Sequence, residues 1–238
     1  KIVKQIQETI TQEDSMGKVS IIIRNRNEGE FIGFALQSCL DFFDKPEIII
    51  VDNNSTDKTV EIVKFFSENP SLNNETNNYS KIKVLKINNY SPGRALNMGV
   101  KNASKKYIMI ISAHCILRNF NEKDIIKDLE KNVCVFGNQI PVWNGKKITK
   151  RYIWSHFSNK KTKNMFSTLE KRYFLHNALA IYKKNTLKKI PFDENLTSKE
   201  DRYWANKIIK KKMNFIYEPE LIAEHQYTIH GNTWKGIA

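Results

Sequence analysis

With 238 residues, 40% of them apolar and 27% charged, the chain is long enough for one domain with a sizeable core and too apolar for wholesale disorder. Its three cysteines lack a CxxC spacing, which argues against a disulfide scaffold or a thiolate zinc site and fits a reducing compartment. The net charge of +14 is local: residues 146–212 hold nineteen basic and five acidic side chains, and the remainder holds twenty of each sign.

Residues 1–17 read as a polar lead-in, and 18–238 as a single domain. Opening on Lys1 rather than Met fits a piece of a longer protein, and no apolar run approaches the roughly 20 residues of a membrane-spanning helix. Residues 19–24 (VSIIIR) and 47–51 (EIIIV) are short continuous apolar runs, the pattern of strands buried on both faces. Between them, residues 30–43 place Phe31, Phe34, Ala35, Ser38 and Phe42 on one helical face. Ser55 or Thr56 caps a second helix carrying Val60, Val63 and Phe66. A polar loop at 70–80 precedes a strand at 81–87, a helix at 95–103, a strand at 107–111 (YIMII), a helix at 121–131 and a strand at 133–136. The pattern then loosens. Residues 144–164 are basic without a clear period, 178–182 read as a strand, 199–212 as a helix, and 215–218 as a strand ending at Pro219. This alternation predicts an α/β fold, with a mainly parallel sheet and helices on both faces. Ligands on such sheets bind beyond the carboxyl ends of the strands, which singles out residues 24–28, 52–57, 88–94 and 112–115.

Four of the segments carry chemistry. Asp52, directly after a buried strand, can accept a hydrogen bond from a base N–H or a ribose hydroxyl; alternatively it and Asp57 cap a turn. Arg94, behind Pro92-Gly93 at a helix start, suits phosphate oxygens, or is a surface arginine beside a turn. His114 leaves the fourth strand where the cleft is expected, to meet a metal or a diphosphate or simply to be hydrogen-bonded. Glu200 and Asp201 stand at a helix N-terminus, which stabilises the anion, so that Asp201 can serve as a base or merely as a cap. Neither GxGxxG nor GxxxxGK[ST] occurs, so neither a dinucleotide fold nor a P-loop is indicated.

In this order and spacing these pieces resemble the family-2 glycosyltransferases, of the GT-A fold, from about Val19 to His225. Residues 19–28 (VSIIIRNRNE) are similar to the family's opening strand and loop. Asp52 with Ser55-Thr56-Asp57 is similar to its D-x-x-S-T-D element, 95–103 (ALNMGVKNA) to the segment before its metal motif, and Lys199-Glu200-Asp201 to its T-E-D motif. The resemblance implies a nucleotide-binding half (18–137) and an acceptor-binding half (138–238). Arg24, Asn25, Asn27, Glu28, Asp52, Arg94, Asn97, Ser112, Ala113 and His114 would contact the nucleotide-sugar donor. Gln139, His176 and Asn177 would contact the acceptor. Asp201, with Glu200 beside it, would be the general base in a direct displacement with inversion.

One departure from the family stands out: its D-x-D metal motif is replaced by Ser112-Ala113-His114. Three readings follow. His114 with His225 holds a divalent ion, Mn²⁺ fitting imidazole better than Mg²⁺; or Arg94, His114 and lysines neutralise the diphosphate without metal; or activity is lost. The intact Glu200-Asp201 pair favours retained catalysis. The implied role is transfer of a sugar to a glycan or lipid-linked acceptor in bacterial surface polysaccharide synthesis, in the cytoplasm, with 146–212 meeting the anionic inner face of the cell membrane. The alternative is a non-catalytic sugar-nucleotide or polyanion-binding module of a larger protein. A nucleotidyltransferase would need a glycine-rich loop where residues 24–28 read RNRNE, and no nucleic-acid partner is expected. Trp143 and Trp154 are candidates for stacking on sugars, whereas the helical stripe of Trp204 points to the core.

Overall fold

The computed structural model describes residues 17–43, 46–68 and 81–228. The expected lead-in at 1–17 (apart from its last residue) and the polar loop at 70–80 lie outside the described residues. Strand β1 (Val19–Asn25) is followed by α1 (Ile32–Phe42), β2 (Glu47–Asp52), α2 (Thr59–Glu68), β3 (Lys81–Lys86), α3 (Pro92–Asn102) and β4 (Tyr107–Ile111). These elements stand where the hydrophobic pattern put them. Then come β5 (Cys115–Asn119), α4 (Glu122–Lys131), β6 (Cys134–Trp143), β7 (Lys146–Lys147), a 3-10 turn (Tyr152–His156), and the short strands β8 (Thr162–Lys163), β9 (Phe166–Ser167) and β10 (Arg172–Tyr173). The chain closes with β11 (Leu179–Lys183), α5 (Lys184–Lys189), α6 (Glu200–Lys210) and β12 (Phe215–Gln226).

The main sheet has the order β3-β2-β1-β4-β11-β6-β12-β5. It is parallel across β3, β2, β1 and β4 and again between β6 and β12. Strand β11 runs antiparallel to both of its neighbours, and β5 antiparallel to β12. The continuous apolar runs follow from burial on both faces. Ile22, Ile49, Val51, Ile108 and Ile110 point to one layer, with Leu96 of α3 and Trp204 and Ile208 of α6. Ile21, Ile23, Ile48, Ile50 and Met109 point to the other, under Leu36 of α1, Val63 of α2 and Leu129 of α4.

Two strands outrun their expected ends. Strand β6 continues from Phe136 to Trp143, and β12 runs through Pro219 to Gln226. The register between β12 and β6 shifts between Glu218 and Ile222, so Pro219 sits in an irregularity where its missing N–H breaks no ladder bond. Strand β5 was not expected; the chain turns tightly after β4, with the Cys115 N–H donating to the Ser112 carbonyl at 3.0 Å. Trp204 is a core residue whose Nε1 donates to the Ile190 carbonyl at 2.7 Å, Trp154 is also buried, and Trp143 is exposed.

Candidate active site

A cavity of about 690 Å³ opens at the carboxyl ends of β1 and β4. Of the residues singled out from sequence, Arg24, Asn25, Asn27, Glu28, Ser112, Ala113, His114, His176, Asn177, Glu200, Asp201 and His225 line it. Four do not. Asp52 is 1% exposed and accepts from Asn25 Nδ2 at 2.7 Å and from the Ser55 N–H at 3.1 Å. Gln139 is fully buried behind His225. Arg94 and Asn97 face a different segment. Asn97 exchanges hydrogen bonds with the Phe192 backbone, its Nδ2 donating to the carbonyl at 2.9 Å and its Oδ1 accepting from the N–H at 3.1 Å. Both side chains also bind Glu194, at 3.2 Å from Arg94 Nε and 3.0 Å from Asn97 Nδ2. Gly93 completes this docking, because a Cβ there would run into the Asp193 carbonyl. The start of α3 thus anchors a loop of the second half. The two halves meet through residues that local sequence assigns to the donor.

The loops after β1 and β2 interlock. Asn27, in the left-handed region at φ 54°, accepts from the Thr56 N–H at 2.7 Å, and its own N–H donates to Ser55 Oγ at 2.9 Å. Asp57 accepts from the N–H groups of Gly29 and Thr59, both at 2.9 Å. The D-x-x-S-T-D element therefore clamps the wall of the cavity, while Asn53 between its ends reaches the cavity itself.

The carboxylates come from the start of α6, entered through Lys199 in the left-handed region. Glu200 pairs with Arg24 of β1 at 2.9 Å and accepts from Asn177 Nδ2 at 3.3 Å. Asp201 accepts from the Asn177 N–H at 3.0 Å, the Arg202 N–H at 2.8 Å, and Arg202 Nη1 at 3.1 and 3.0 Å on its two oxygens. Burial pushes the Asp201 carboxyl up, but the Arg202 guanidinium, His176 and the Asn177 N–H outweigh it and hold it below the usual carboxylate range. His176 Nδ1 accepts the Ala178 N–H at 3.0 Å, which puts the proton of the neutral ring on Nε2. Burial, then the nearby Arg202, lowers its pKa to about 3.

The histidines form a buried chain. His114 Nδ1 lies 3.0 Å from Glu28 Oε1, His225 Nδ1 lies 2.7 Å from Gln139 Oε1, and the two Nε2 atoms face each other at 3.0 Å. Each Nδ1 meets an oxygen and so carries a proton, which leaves a lone pair on each Nε2. Two lone pairs at 3.0 Å need a cation, proton or metal, between or beside them. With the Gln139 amide turned over, its N–H would donate to His225 and the chain would be satisfied without one. Gln139 Nε2 as placed is buried without a partner. Burial, reinforced by His114 and His176, lowers the His225 pKa well below the ordinary value. Among the described residues no group of three or more His, Cys, Asp or Glu converges as for a metal ion. The nitrogen donors that the residues present would offer a divalent ion are the two Nε2 atoms, and imidazole suits Mn²⁺ better than Mg²⁺.

Tyr90, in the singled-out segment 88–94, lines the cavity, whereas local pattern missed Thr197 and Arg202, which line it too. Of these, Arg202 had a sequence signal, a cation directly after two carboxylates.

The sequence model of the family described as Glycosyl transferase family 2 matches residues 20–191. The chain is 30% identical over 115 residues to the poly-beta-1,6-N-acetyl-D-glucosamine synthase of Staphylococcus epidermidis, covering 48% of this chain and 26% of that protein. It is 31% identical over 117 residues to a dolichyl N-acetyl-alpha-D-glucosaminyl phosphate 3-beta-D-2,3-diacetamido-2,3-dideoxy-beta-D-glucuronosyltransferase of Methanococcus voltae, covering 48% and 33%. The chain thus spans between about a quarter and a third of the length of these curated relatives. Its fold is similar to that of S. aureus TarS 1-349 in complex with UDP-GlcNAc, with a TM-score of 0.67, 22% identity, and 89% of this chain against 59% of that one covered. It is also similar to the mannosyltransferase PcManGT of Pyrobaculum calidifontis in complex with GDP-Man and Mn²⁺, with a TM-score of 0.64, 18% identity, and coverage of 90% and 58%. These likenesses establish a GT-A-type fold, and with the family model matching well over half of the sequence, the chain belongs to glycosyl transferase family 2.

Proposed function

We propose that this chain is the catalytic domain of an inverting glycosyltransferase that moves a sugar from a nucleotide donor to a hydroxyl of a glycan or lipid-linked acceptor, in bacterial surface polysaccharide synthesis. The observation that carries this reading is the convergence of the Glu200-Asp201 pair with the loops after β1 and β4 on one cavity. The curated relatives named above are a polysaccharide synthase and a glycosyltransferase, and the two solved structures hold UDP-GlcNAc and GDP-Man, which supports the same reading.

In this mechanism the nucleotide lies along residues 24–28 and Asn53, and the diphosphate faces Ser112-Ala113-His114. Asp201 accepts the proton of the acceptor hydroxyl while that oxygen attacks the anomeric carbon. The bond from carbon to the diphosphate oxygen breaks on the opposite face, and the configuration inverts. His114 and His225 would hold a divalent ion, whose chemistry there is to neutralise the leaving diphosphate. Glu200, bound to Arg24, holds the base helix against β1. His176 offers Nε2–H to a sugar or acceptor oxygen beside Asp201.

The test is a melting panel with UDP, dTDP, GDP, CDP and CMP, each with Mn²⁺, Mg²⁺ or EDTA. A nucleotide at ~100 times its Kd stabilises by about 2.7 kcal/mol, and each kcal/mol moves Tm by roughly 2–4 °C in a domain of this size. One base is expected to stand out, with Mn²⁺ strengthening its shift. Asp201→Asn is expected to keep that shift and to lose transfer by about 10²–10⁴-fold. Full turnover in this variant removes Asp201 as the base; binding without turnover in the wild type, across a broad donor panel, makes the chain a binding module.

A further inference from the structure

Arg202 is buried between two carboxylates, Asp201 beside it on α6 and Glu170 of the β9–β10 turn. Its Nη1 spans both oxygens of Asp201, its Nη2 lies 3.4 Å from Glu170 Oε1, and its guanidinium lies 4.6 Å over the Phe174 ring. All three charged side chains are 7% exposed. Glu170 sits in the turn between β9 and β10, with its N–H donating to Ser167 Oγ at 2.9 Å. Two buried atoms of this ion pair have no hydrogen-bond partner, Arg202 Nε and Glu170 Oε2. They are a donor and an acceptor on facing side chains, and a tighter Arg202–Glu170 fork would pair them.

The four hydrogen bonds to Asp201, from three donor atoms, fill its usual accepting positions. An acceptor hydroxyl can give its proton to Asp201 only where one of these bonds yields. Three of the four bonds come from Arg202, and two of those from its side chain, which alone has a second anion within reach. We propose that Arg202 is the positioning residue of the base: it orients Asp201 and, by closing on Glu170 of the β9–β10 turn, frees an Asp201 oxygen for the acceptor hydroxyl. The proposal rests on the reading of Asp201 as the base. It adds a link from the acceptor half, through Glu170, to the reacting atoms.

Around Asp201 stand Glu200 on its own helix, Arg24 on β1, His176 before β11, Tyr182 on β11, Cys134 on β6, and, behind Arg202, Glu170, whose Oε2 lies 3.9 Å from Arg172 Nε of β10. Removing the Arg202 cation leaves Asp201 among Glu200 and Glu170, so its proton affinity rises. Removing the Glu170 charge leaves Arg202 wholly to Asp201, so its proton affinity falls.

The experiment is a carboxyl ¹³C NMR titration of the ligand-free chain, with Asp201→Asn identifying the resonance. The Asp201 midpoint is expected to move up in Arg202→Gln, down in Glu170→Gln, and to an intermediate position in Arg202→Lys, which keeps the charge without the planar fork. On a turned-over nucleotide sugar of the base chosen by the melting panel, Arg202→Gln is expected to lose on the order of 10²-fold in kcat with little change in KM for the donor. A role in packing alone moves Tm but not the midpoint in opposite directions. Unmoved midpoints in folded variants, or movement in the same direction, overturn the proposal; where Arg202→Gln does not fold, Glu170→Gln decides alone. Turnover retained in Asp201→Asn removes the base reading and this proposal together, whereas an inactive Asp201→Asn with unmoved midpoints removes only this one.

Discussion

At His176 the ring nitrogens have separate duties. Nδ1 takes the Ala178 N–H, and burial beside Arg202 keeps the ring neutral with a pKa of about 3. An unfolded histidine titrates near 6.5, so the unfolded chain binds a proton that the native chain refuses between these values. The stability this contributes is complete above about pH 6.5 and is lost as pH falls towards 3. Melting in EDTA should show Tm decreasing from pH 7 to 5, with a shallower decrease in His176→Asn, which keeps an acceptor for Ala178. His225, lowered by burial in the same direction, supplies the slope that remains. Equal slopes in the two proteins would mean that His176 is charged in the native state. Its neighbour pair was legible from sequence as two carboxylates at a helix start. Its tautomer was not, because it depends on one backbone N–H.

Elements decide which half of the site a residue serves. Helix α3 reads as donor-facing because Arg94 follows a Pro-Gly turn at its N-terminus, and because the family resemblance implies a donor role for Asn97. Ser91 caps that helix, accepting the Arg94 N–H at 3.2 Å, and the side chains then turn to residues 192–194. Asn97→Ala leaves the Phe192 N–H and carbonyl without these partners. It is expected to destabilise the fold by about 1–3 kcal/mol while leaving the nucleotide melting shift intact. Loss of the shift with unchanged stability would return Asn97 to the donor pocket. Strands β6 and β12 make the same point. Both extend past their expected ends, β12 through the Pro219 that reads as a stop, since pairing with each other outweighs the local preference. The extension places Gln139 and His225 side by side.

On the scale of the whole molecule, the excess charge is confined to the second half. Lys146, Lys147, Lys160, Lys163, Lys171, Lys188 and Lys189 are exposed there, together with Tyr152, Phe166 and Leu169. No described helix is long and apolar enough to cross a membrane. We propose that these exposed side chains make peripheral contact with anionic lipid, where each Lys or Arg near the surface contributes about 1 kcal/mol. Flotation with vesicles of phosphatidylcholine and phosphatidylglycerol should recover the chain at low salt. Raising the salt, or omitting the anionic lipid, should release it. Equal recovery on neutral vesicles would place the interaction elsewhere.

The apolar runs at β1, β2 and β4 and the stripe of α6 determined most of the architecture by themselves. A strand buried on both faces and a helix buried on one leave periodicities that neighbours do not alter. The cavity lining was legible at or just past the ends of strands, as at Arg24, Glu28 and His114, and at the start of a helix, as at Glu200 and Asp201. The tertiary structure alone decided the rest: that His114 meets His225 across 111 positions, that Asn97 serves Phe192 across 95, and that Arg202 stands between Asp201 and Glu170. Hydrogen bonds and ion pairs at such separations depend on where the sheet order and the turns deliver each side chain. That placement is a property of the packed whole, and no local periodicity encodes it.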